Sequence, residues 1–446
     1  MNIIIAGAGA VGFHLAELLT KENQSIILID TNDEVLEYAA THLDVLTIRG
    51  DATSIEVLQK ANVVNTNLFI AVTAMETTNL LSAILARQMG ASRTVARINN
   101  PEYLEKAQLD NFHDLGVNWL ISPQVLAAEE IRLLLQRCTF TDIFEFENGK
   151  ISILGLSIDR DSPLENQTMV KVSKLNPDFN FRGIAILRNH QTIIPKGDTK
   201  LRRGDHLYLA TRNHHIDQAT KFVGKEVQSV HHIMIIGQTE IALRTAQLLE
   251  NEYAITLVID DKEVGKRFLA RLQNTLIIQG NTGNVNLLKE EGLEQMDAFI
   301  ALTPNSEINI ITSLMAKELG VYKTIAQVDN ADYIHISQNI GVDTIINKKL
   351  VAANEIFRFV RKGRVKAIAN LHGVDAEAIE FLIHKENRLT KHPIKKLPIP
   401  KQAIIAGVIR DAHSFIPDGE FVFEKGDKVI VFTLPEALHR VEELFK

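Results

Sequence analysis

Asn2-Ile-Ile-Ile-Ala-Gly7-Ala-Gly9-Ala-Val-Gly12 decides how this chain folds. Four apolar residues read as a buried strand, and the segment Val11–Lys21 spaces its apolar residues by three and four, as a sheet-covering helix does. Between them stands G-x-G-x-x-G. In a strand-to-helix turn the first glycine makes the tight bend, the second lets the backbone approach a pyrophosphate, and the third lets helix and strand pack closely. The helix N-terminus adds unpaired N–H groups and positive dipole toward a phosphate. Asp30 ends the next expected strand, Ser25–Asp30, where a carboxylate can hold the ribose hydroxyls of an adenosine. A carboxylate there disfavours a 2′-phosphate, so NAD, NADH or an adenine nucleotide is expected rather than NADP(H). The alternative is a glycine turn kept for packing.

Outward from this turn, further strands are expected at Val45–Ile48, Leu68–Thr73, Thr94–Ile98 and Trp119–Ser122, alternating with helical patterns such as Thr77–Met89. Strands apolar throughout and separated by helices imply a parallel sheet covered on both faces, a doubly wound α/β fold. Ligands bind such sheets at the carboxyl ends of the strands. Candidate binding residues are therefore Gly7, Ala8, Gly9, Ala10, Val11, Gly12 and Asp30, with Asp51 and Ala52 after strand three, Thr73 and Ala74 at the end of strand four, and Arg97 near the end of strand five. Arg97 can clasp a phosphate as a planar fork, or else form a salt bridge on the sheet edge.

The chain then says the same thing again. Residues 2–106 align without a gap on 232–336, 230 positions later: Phe69-Ile-Ala-Val-Thr73 falls on Phe299-Ile-Ala-Leu-Thr303, and Ile26–Asp30 on Thr256–Asp260. The second turn reads Gly237-Gln-Thr239-Glu-Ile-Ala242. Asp51 becomes Asn281 and Arg97 becomes Gln327, while Asp260 and Thr303 keep their counterparts' chemistry. A β-branched Thr239 crowds the backbone where a pyrophosphate would press, and Glu240 adds negative charge, so dinucleotide binding is expected to be impaired there: the lobe has become structural, or it holds a different ligand more loosely. Between Tyr333 and Gly341 the second copy is five residues shorter, a loop-level difference.

From Ile151 to about Lys225 the pattern is β-richer, with turns at Pro195-Lys-Gly197 and Arg203-Gly-Asp205, and it recurs 222 positions later: Arg188 on Arg410, Gly204-Asp205 on Gly426-Asp427. The expected order is N-lobe 1–138, C-lobe 139–226, N-lobe 231–360 and C-lobe 361–446. That is two doubly wound, Rossmann-like lobes, each followed by a small α+β C-lobe.

The 446 residues are 46% hydrophobic and 6% aromatic, as soluble α/β domains are. A single cysteine, Cys138, excludes an internal disulfide framework and fits a reducing compartment; a core role is expected for it. No apolar run approaches the ~20 residues that span a bilayer, and no basic segment precedes the first strand, so no signal peptide is expected and the reading is cytosolic. A net charge of −7 argues against nucleic-acid binding.

Taken together, the glycine turn, the acid after strand two, Gly50-Asp-Ala-Thr53 and Ala96-Arg-Ile-Asn-Asn-Pro101 resemble a regulator-of-potassium-conductance N-lobe. Ile194-Pro-Lys-Gly197 and Leu201-Arg-Arg-Gly-Asp205 resemble its companion C-lobe. Two such pairs in tandem are similar to the peripheral regulatory subunits of bacterial Trk-type potassium uptake systems. The resemblance implies a regulator, not an enzyme. It would be attached to the inner face of the cell membrane through a membrane-embedded potassium transporter and assembled as a homo-oligomer, dimer or tetramer. It also implies NAD or NADH, and ATP or ADP as further ligands, at Gly7–Gly12, Asp30, Asp51, Thr73 and Arg97.

Two rival readings stand beside it. An NAD-dependent oxidoreductase needs a general acid or base near the nicotinamide. The C-lobes show no paired acid/base or metal-ligand spacing, and His14 lies on the helix after the turn. The pairs His214-His215 and His231-His232 read as solvated linker residues whose side chains diverge on a strand. A stand-alone nucleotide sensor is the other. The basic run Lys348, Lys349, Arg358, Arg361, Lys362, Arg364 and Lys366 reads as a solvated helix and linker, or as a face for anionic lipid or transporter loops.

Overall fold

The computed structural model describes residues 1–20, 24–137, 140–147, 149–158, 162–175, 180–189, 191–216, 218–219, 229–330, 333, 341–361, 368–370 and 376–445. Cys138, Lys225, Lys362, Arg364 and Lys366 lie outside them. The chain divides into two compact units, residues 1–129 with 346–360, and residues 130–345 with 361–446. The four expected lobes thus regroup: most of the helix Lys348–Arg361, which follows the second repeat's last strand, belongs with the first repeat.

In the first unit, Asn2–Ala6 (β1), Ser25–Asp30 (β2), Leu46–Arg49 (β3), Leu68–Ala71 (β4), Thr94–Arg97 (β5) and Trp119–Ile121 (β6) form one sheet in the order β3-β2-β1-β4-β5-β6. Its pairings are parallel, so the doubly wound fold stands. The order reverses direction at β1/β4, and this switch point places the β1 glycine turn at a ligand crevice. β1 and β4 are buried almost throughout, because helices cover both faces. Ala6, Phe69, Ala71, Ala83 and Ala96 form part of the core under the crevice. The helix from the second repeat docks here through Phe359, which stacks on Trp119 at 4.4 Å and lies beneath the Arg93 guanidinium at 5.4 Å.

In the second unit, Asp142–Phe146 (β7), Ile151–Ser157 (β8), Phe181–Arg188 (β9), Gln191–Ile193 (β10) and His206–Arg212 (β11) form a five-stranded sheet, order β10-β9-β11-β8-β7, antiparallel in its pairings. His232–Ile236 (β12), Ala254–Ile259 (β13), Thr275–Gln279 (β14), Ala298–Ala301 (β15), Lys323–Gln327 (β16) and Thr344–Ile346 (β17) repeat the doubly wound order as β14-β13-β12-β15-β16-β17. Ile368–Asn370 (β18), Glu377–Leu382 (β19), Ala403–Arg410 (β20), His413–Phe415 (β21) and Lys428–Thr433 (β22) build the second antiparallel sheet, order β18-β19-β22-β20-β21. The two antiparallel sheets share a core of Phe146, Ile151 and Tyr208 with Ala378, Ile430 and Phe432. They meet so closely that a Cβ on Gly407 would lie 2.3 Å from Ile151 Cδ1.

Each small lobe carries a buried arginine–aspartate pair, and the two are built alike. Arg188 donates from Nε and Nη2 to the two oxygens of Asp205 at 2.7 and 2.6 Å, and Arg410 does the same to Asp427 at 2.7 and 2.8 Å. Both carboxylates are buried and also accept a backbone N–H, from Arg202 or Glu424.

The repeat is not gapless in space. β1 pairs Asn2 with Ser25, and Gly50 N–H reaches Asp30 O; β12 pairs His232 with Ala254, and Gly280 N–H reaches Ile259 O. Over the second strand and the start of its helix the copies correspond at 229 positions, not 230, so Asn32 and Asp261 are the matching N-caps. The residue in Asp30's place is therefore Ile259, buried at 1% exposure. This corrects the expectation for Asp260, which stands one residue past the strand end. One residue fewer before β13 and one more before β14 cancel, so the aligned sequences hide the slip.

Candidate functional site

The turn behaves as its glycines require. Gly7 has φ +103°, and a Cβ there would lie 2.8 Å from Thr73 N; a Cβ on Gly12 would lie 1.8 Å from Gly7 O. These two are closed by protein. Gly9 differs, since a Cβ built on it meets nothing within 4 Å. Space for a ligand thus opens at the position where chemistry needs the backbone bare. The helix Ala10–Thr20 carries no acidic residue in its first turn to compete with an anion for the dipole. Ala8, Val11 and Gly12 are buried and Ala10 is exposed.

Asp30 sits beside this turn and holds it: Ala8 N–H donates to Oδ2 at 2.7 Å and Asn32 N–H to Oδ1 at 3.0 Å. A carboxylate has about four lone-pair sites, so capacity for hydroxyl donors remains. Asp51 accepts from both the N–H and the hydroxyl of Thr53 at 2.8 Å, and the backbone bond foremost holds its carboxyl below the usual range. Ala52 behind it is buried.

Strand four ends at Ala71, two residues earlier than expected, because Thr73 N–H turns away from the ladder to Asn79 Oδ1 at 2.8 Å. Ala74, next to it, is exposed. Arg97 closes β5, an interior strand, so the sheet-edge salt bridge is corrected: no ion pair involves Arg97 among the described residues. Its Nε is buried without a hydrogen-bond partner, and burial pushes its pKa down. An unpaired guanidinium in such a place fits an anion.

Two residues that sequence reasoning missed arrange this rim. The Asn79 amide accepts from Thr73 N–H and Oγ1 and donates to Thr73 O and Arg97 O, tying the ends of β4 and β5 together. Glu76 Oε2 accepts the N–H groups of Asn99 and Asn100 at 2.7 and 2.9 Å. The signal was present: Asn309 lies six residues after Thr303, as Asn79 does after Thr73, and makes the same four bonds.

In the second copy the same backbone is furnished differently. Gly237 keeps φ +127°. Thr239 Oγ1 donates to Leu302 O at 2.9 Å and accepts from Ala242 N–H at 3.3 Å, capping its own helix. Glu240 pairs with Arg244 and Arg271. Gln327 is 1% exposed and donates to Asp329 at 3.2 Å. Asp260 accepts from the N–H and hydroxyl of Thr282, and Thr303 is buried.

The histidines divide. His14 pairs with Glu17 on the first helix at 3.3 Å, and His231 and His232 are exposed. Residues Asn213–His215 form a 3₁₀ turn rather than a strand, and His215 is buried at 8% exposure, against the solvated reading. Burial lowers its pKa, helped by Arg212 and His214. Among the described residues no group of three or more His, Cys, Asp or Glu could hold a metal ion. No helix among them is long and apolar enough to cross a membrane.

A doubly wound lobe with an open glycine turn, repeated and joined each time to a small antiparallel lobe, defines a tandem two-lobed α/β class of protein. The comparisons agree. The TrkA-N domain model matches residues 3–123 and 233–348, and the TrkA-C domain model matches residues 153–224 and 378–446. The chain belongs to this family, with both domains in tandem. It is 30% identical to the Trk system potassium uptake protein TrkA homolog of Archaeoglobus fulgidus, over 100% of both chains. It is also 30% identical to the Trk system potassium uptake protein TrkA of Haemophilus influenzae, over 100% of this chain and 99% of that one. Among solved structures it is similar to a GsuK channel bound to NAD, with a TM-score of 0.60 at 15% identity, covering 100% of this chain and 78% of that one. That likeness is one of fold.

Proposed function

We propose that this chain is the nucleotide-responsive regulatory subunit of a membrane potassium uptake system. NAD or NADH, or else ATP or ADP, occupies the first crevice at Gly7–Gly12, Asp30, Asp51, Thr73 and Arg97. The observation that carries this is the unfilled rim of that crevice: bare space over Gly9 on the same carboxyl-end rim as Arg97, whose Nε is buried with no partner. Such a ligand would offer phosphates to the turn and to the Arg97 guanidinium, and ribose hydroxyls to Asp30. Bound nucleotide supplies no bond-making here; it supplies affinity that differs between two arrangements of the lobes, and so shifts their populations. Linkage requires the transporter's state to alter nucleotide affinity in return.

The potassium transporter as partner is supported by the names of the two relatives, and the nucleotide by the fold shared with a channel bound to NAD. The subunit acts as a homo-oligomer, dimer or tetramer, bound peripherally at the inner face of the membrane. The test is rubidium uptake into proteoliposomes carrying a Trk-type transporter, with and without the full chain and NADH or ATP. Uptake that responds to nucleotide through the wild type and not through Gly9→Val supports the reading. Uptake indifferent to the chain, or turnover of NADH with a small carbonyl compound that one side-chain change abolishes, refutes it.

A further inference from the structure

We infer that the second crevice is closed by the chain's own side chains, which leaves the first lobe as the only nucleotide-responsive one. The inference rests on the reading above only for which ligand the first lobe takes. Three changes act together, and each occupies a group that the first lobe leaves open or uses otherwise.

Thr239 stands where Gly9 stands. Its side chain fills the space that is empty over Gly9, and its hydroxyl accepts the Ala242 N–H that a phosphate oxygen would need. The same hydroxyl donates to Leu302 O at 2.9 Å, so the threonine is anchored to the strand beside it rather than free to swing out. Gln238 stands where Ala8 stands. In the first lobe the backbone of this turn is tied to the acid, Ala8 N–H to Asp30 Oδ2; in the second, Gln238 Oε1 accepts Asp261 N–H at 2.9 Å and lashes the turn to the loop beyond β13 by a side chain.

The slip of β13 completes the change. It puts buried Ile259 in the place of the acid and carries Asp260 past the strand end, where Thr282 engages both its oxygens, at 3.0 Å from N–H and 2.8 Å from Oγ1. The position equivalent to Thr282 in the first lobe is Ala52, which has no hydroxyl to offer. Hydrogen bonds that the turn and the acid leave open to a nucleotide in one lobe are thus made internally in the other. The second lobe is held without ligand in one arrangement and serves as the fixed partner of a lobe that responds.

The test is calorimetric titration of the full chain with NADH, counting sites per chain. Three proteins are compared: wild type, a first-lobe transplant Ala8→Gln/Gly9→Thr, and a second-lobe reversal Gln238→Ala/Thr239→Gly/Ile259→Asp. The wild type is expected to show one site. The transplant should lose affinity about tenfold or more, as the loss of charge-assisted hydrogen bonds at a helix start predicts. The reversal should gain a second site. Two equivalent sites in the wild type overturn the inference, and so does a transplant that binds as tightly as the wild type. The transplant carries this test even where the reversal does not fold. If the wild type binds no NADH but the reversal binds one, the first-lobe reading falls while the closure of the second crevice by its own side chains stands; if neither binds, both fall.

Discussion

Replacing Asn79 and Asn309 separately by alanine compares one hydrogen-bonded device in two settings. Each amide is buried at 1% exposure and makes four bonds: in the first lobe Thr73 N–H at 2.8 Å, Thr73 Oγ1 at 2.7 Å, Thr73 O at 3.1 Å and Arg97 O at 2.9 Å. Alanine orphans one backbone N–H and two carbonyls; the threonine hydroxyl keeps a partner in the carbonyl of Met75 or Asn305. A buried group left unpaired costs roughly 1–3 kcal/mol. In the first lobe Thr73 and Arg97 are only half-buried, so water re-solvates part of the rim and about 2–3 kcal/mol is expected. In the second lobe Thr303 and Gln327 are buried at 3% and 1%, water has no such access, and about 3–5 kcal/mol is expected. Peptide-resolved hydrogen exchange at Thr73 and Thr303 reads both in place, one decade of protection per ~1.4 kcal/mol. NADH affinity should fall in Asn79→Ala and not in Asn309→Ala. Equal loss of protection in both lobes, or Asn79→Ala with unchanged NADH affinity, would refute the argument that this amide sets the rim.

Asp30→Ala should weaken NADH binding about tenfold or more and loosen the turn, since it removes the acceptor of Ala8 N–H; Asp260→Ala should leave NADH affinity unchanged in the same titration. Asp205→Ala strands Arg188 over a buried site and should destabilise its small lobe by about 3–5 kcal/mol, with Asp427→Ala doing likewise, whereas Arg188→Leu/Asp205→Leu should cost less than Asp205→Ala in urea unfolding. Burial holds the His215 pKa below its ordinary 6.5, so the unfolded chain takes up the proton first. Its contribution to stability is present in full above pH 6.5 and is lost as pH falls from there to the lowered value. Melting temperature followed across that window should flatten in His215→Gln, and an unaltered slope would count against the burial argument.

How much was readable beforehand follows from how local each feature is. Strand and helix periodicity depends on which residues sit two or three-and-a-half positions apart, and the strands of the first sheet fell within one or two residues of the expected spans; the ends moved where a side chain, as at Thr73, took the next ladder donor. The glycines at 7 and 12 were legible because their steric demand is met within the turn and the strand beside it. The arginine–aspartate pairs were visible only as a recurrence at equal spacing, since nothing local says that Arg188 and Asp205 face each other. Asn79 looked like an ordinary helix residue; its meaning lies in carbonyls on two strands that the sheet order brings side by side.

The sequence by itself determined the repeat, the doubly wound class and the glycine turn after the first strand, because periodicity and glycine sterics are properties of neighbouring residues. Only the tertiary structure decided that Ile259 and not Asp260 occupies the acid's position, and that the helix Lys348–Arg361 serves the first unit. Register along a sheet is set by interstrand hydrogen bonds and by which residues pack against distant helices. Two compensating single-residue changes shift that register while leaving the aligned letters in step.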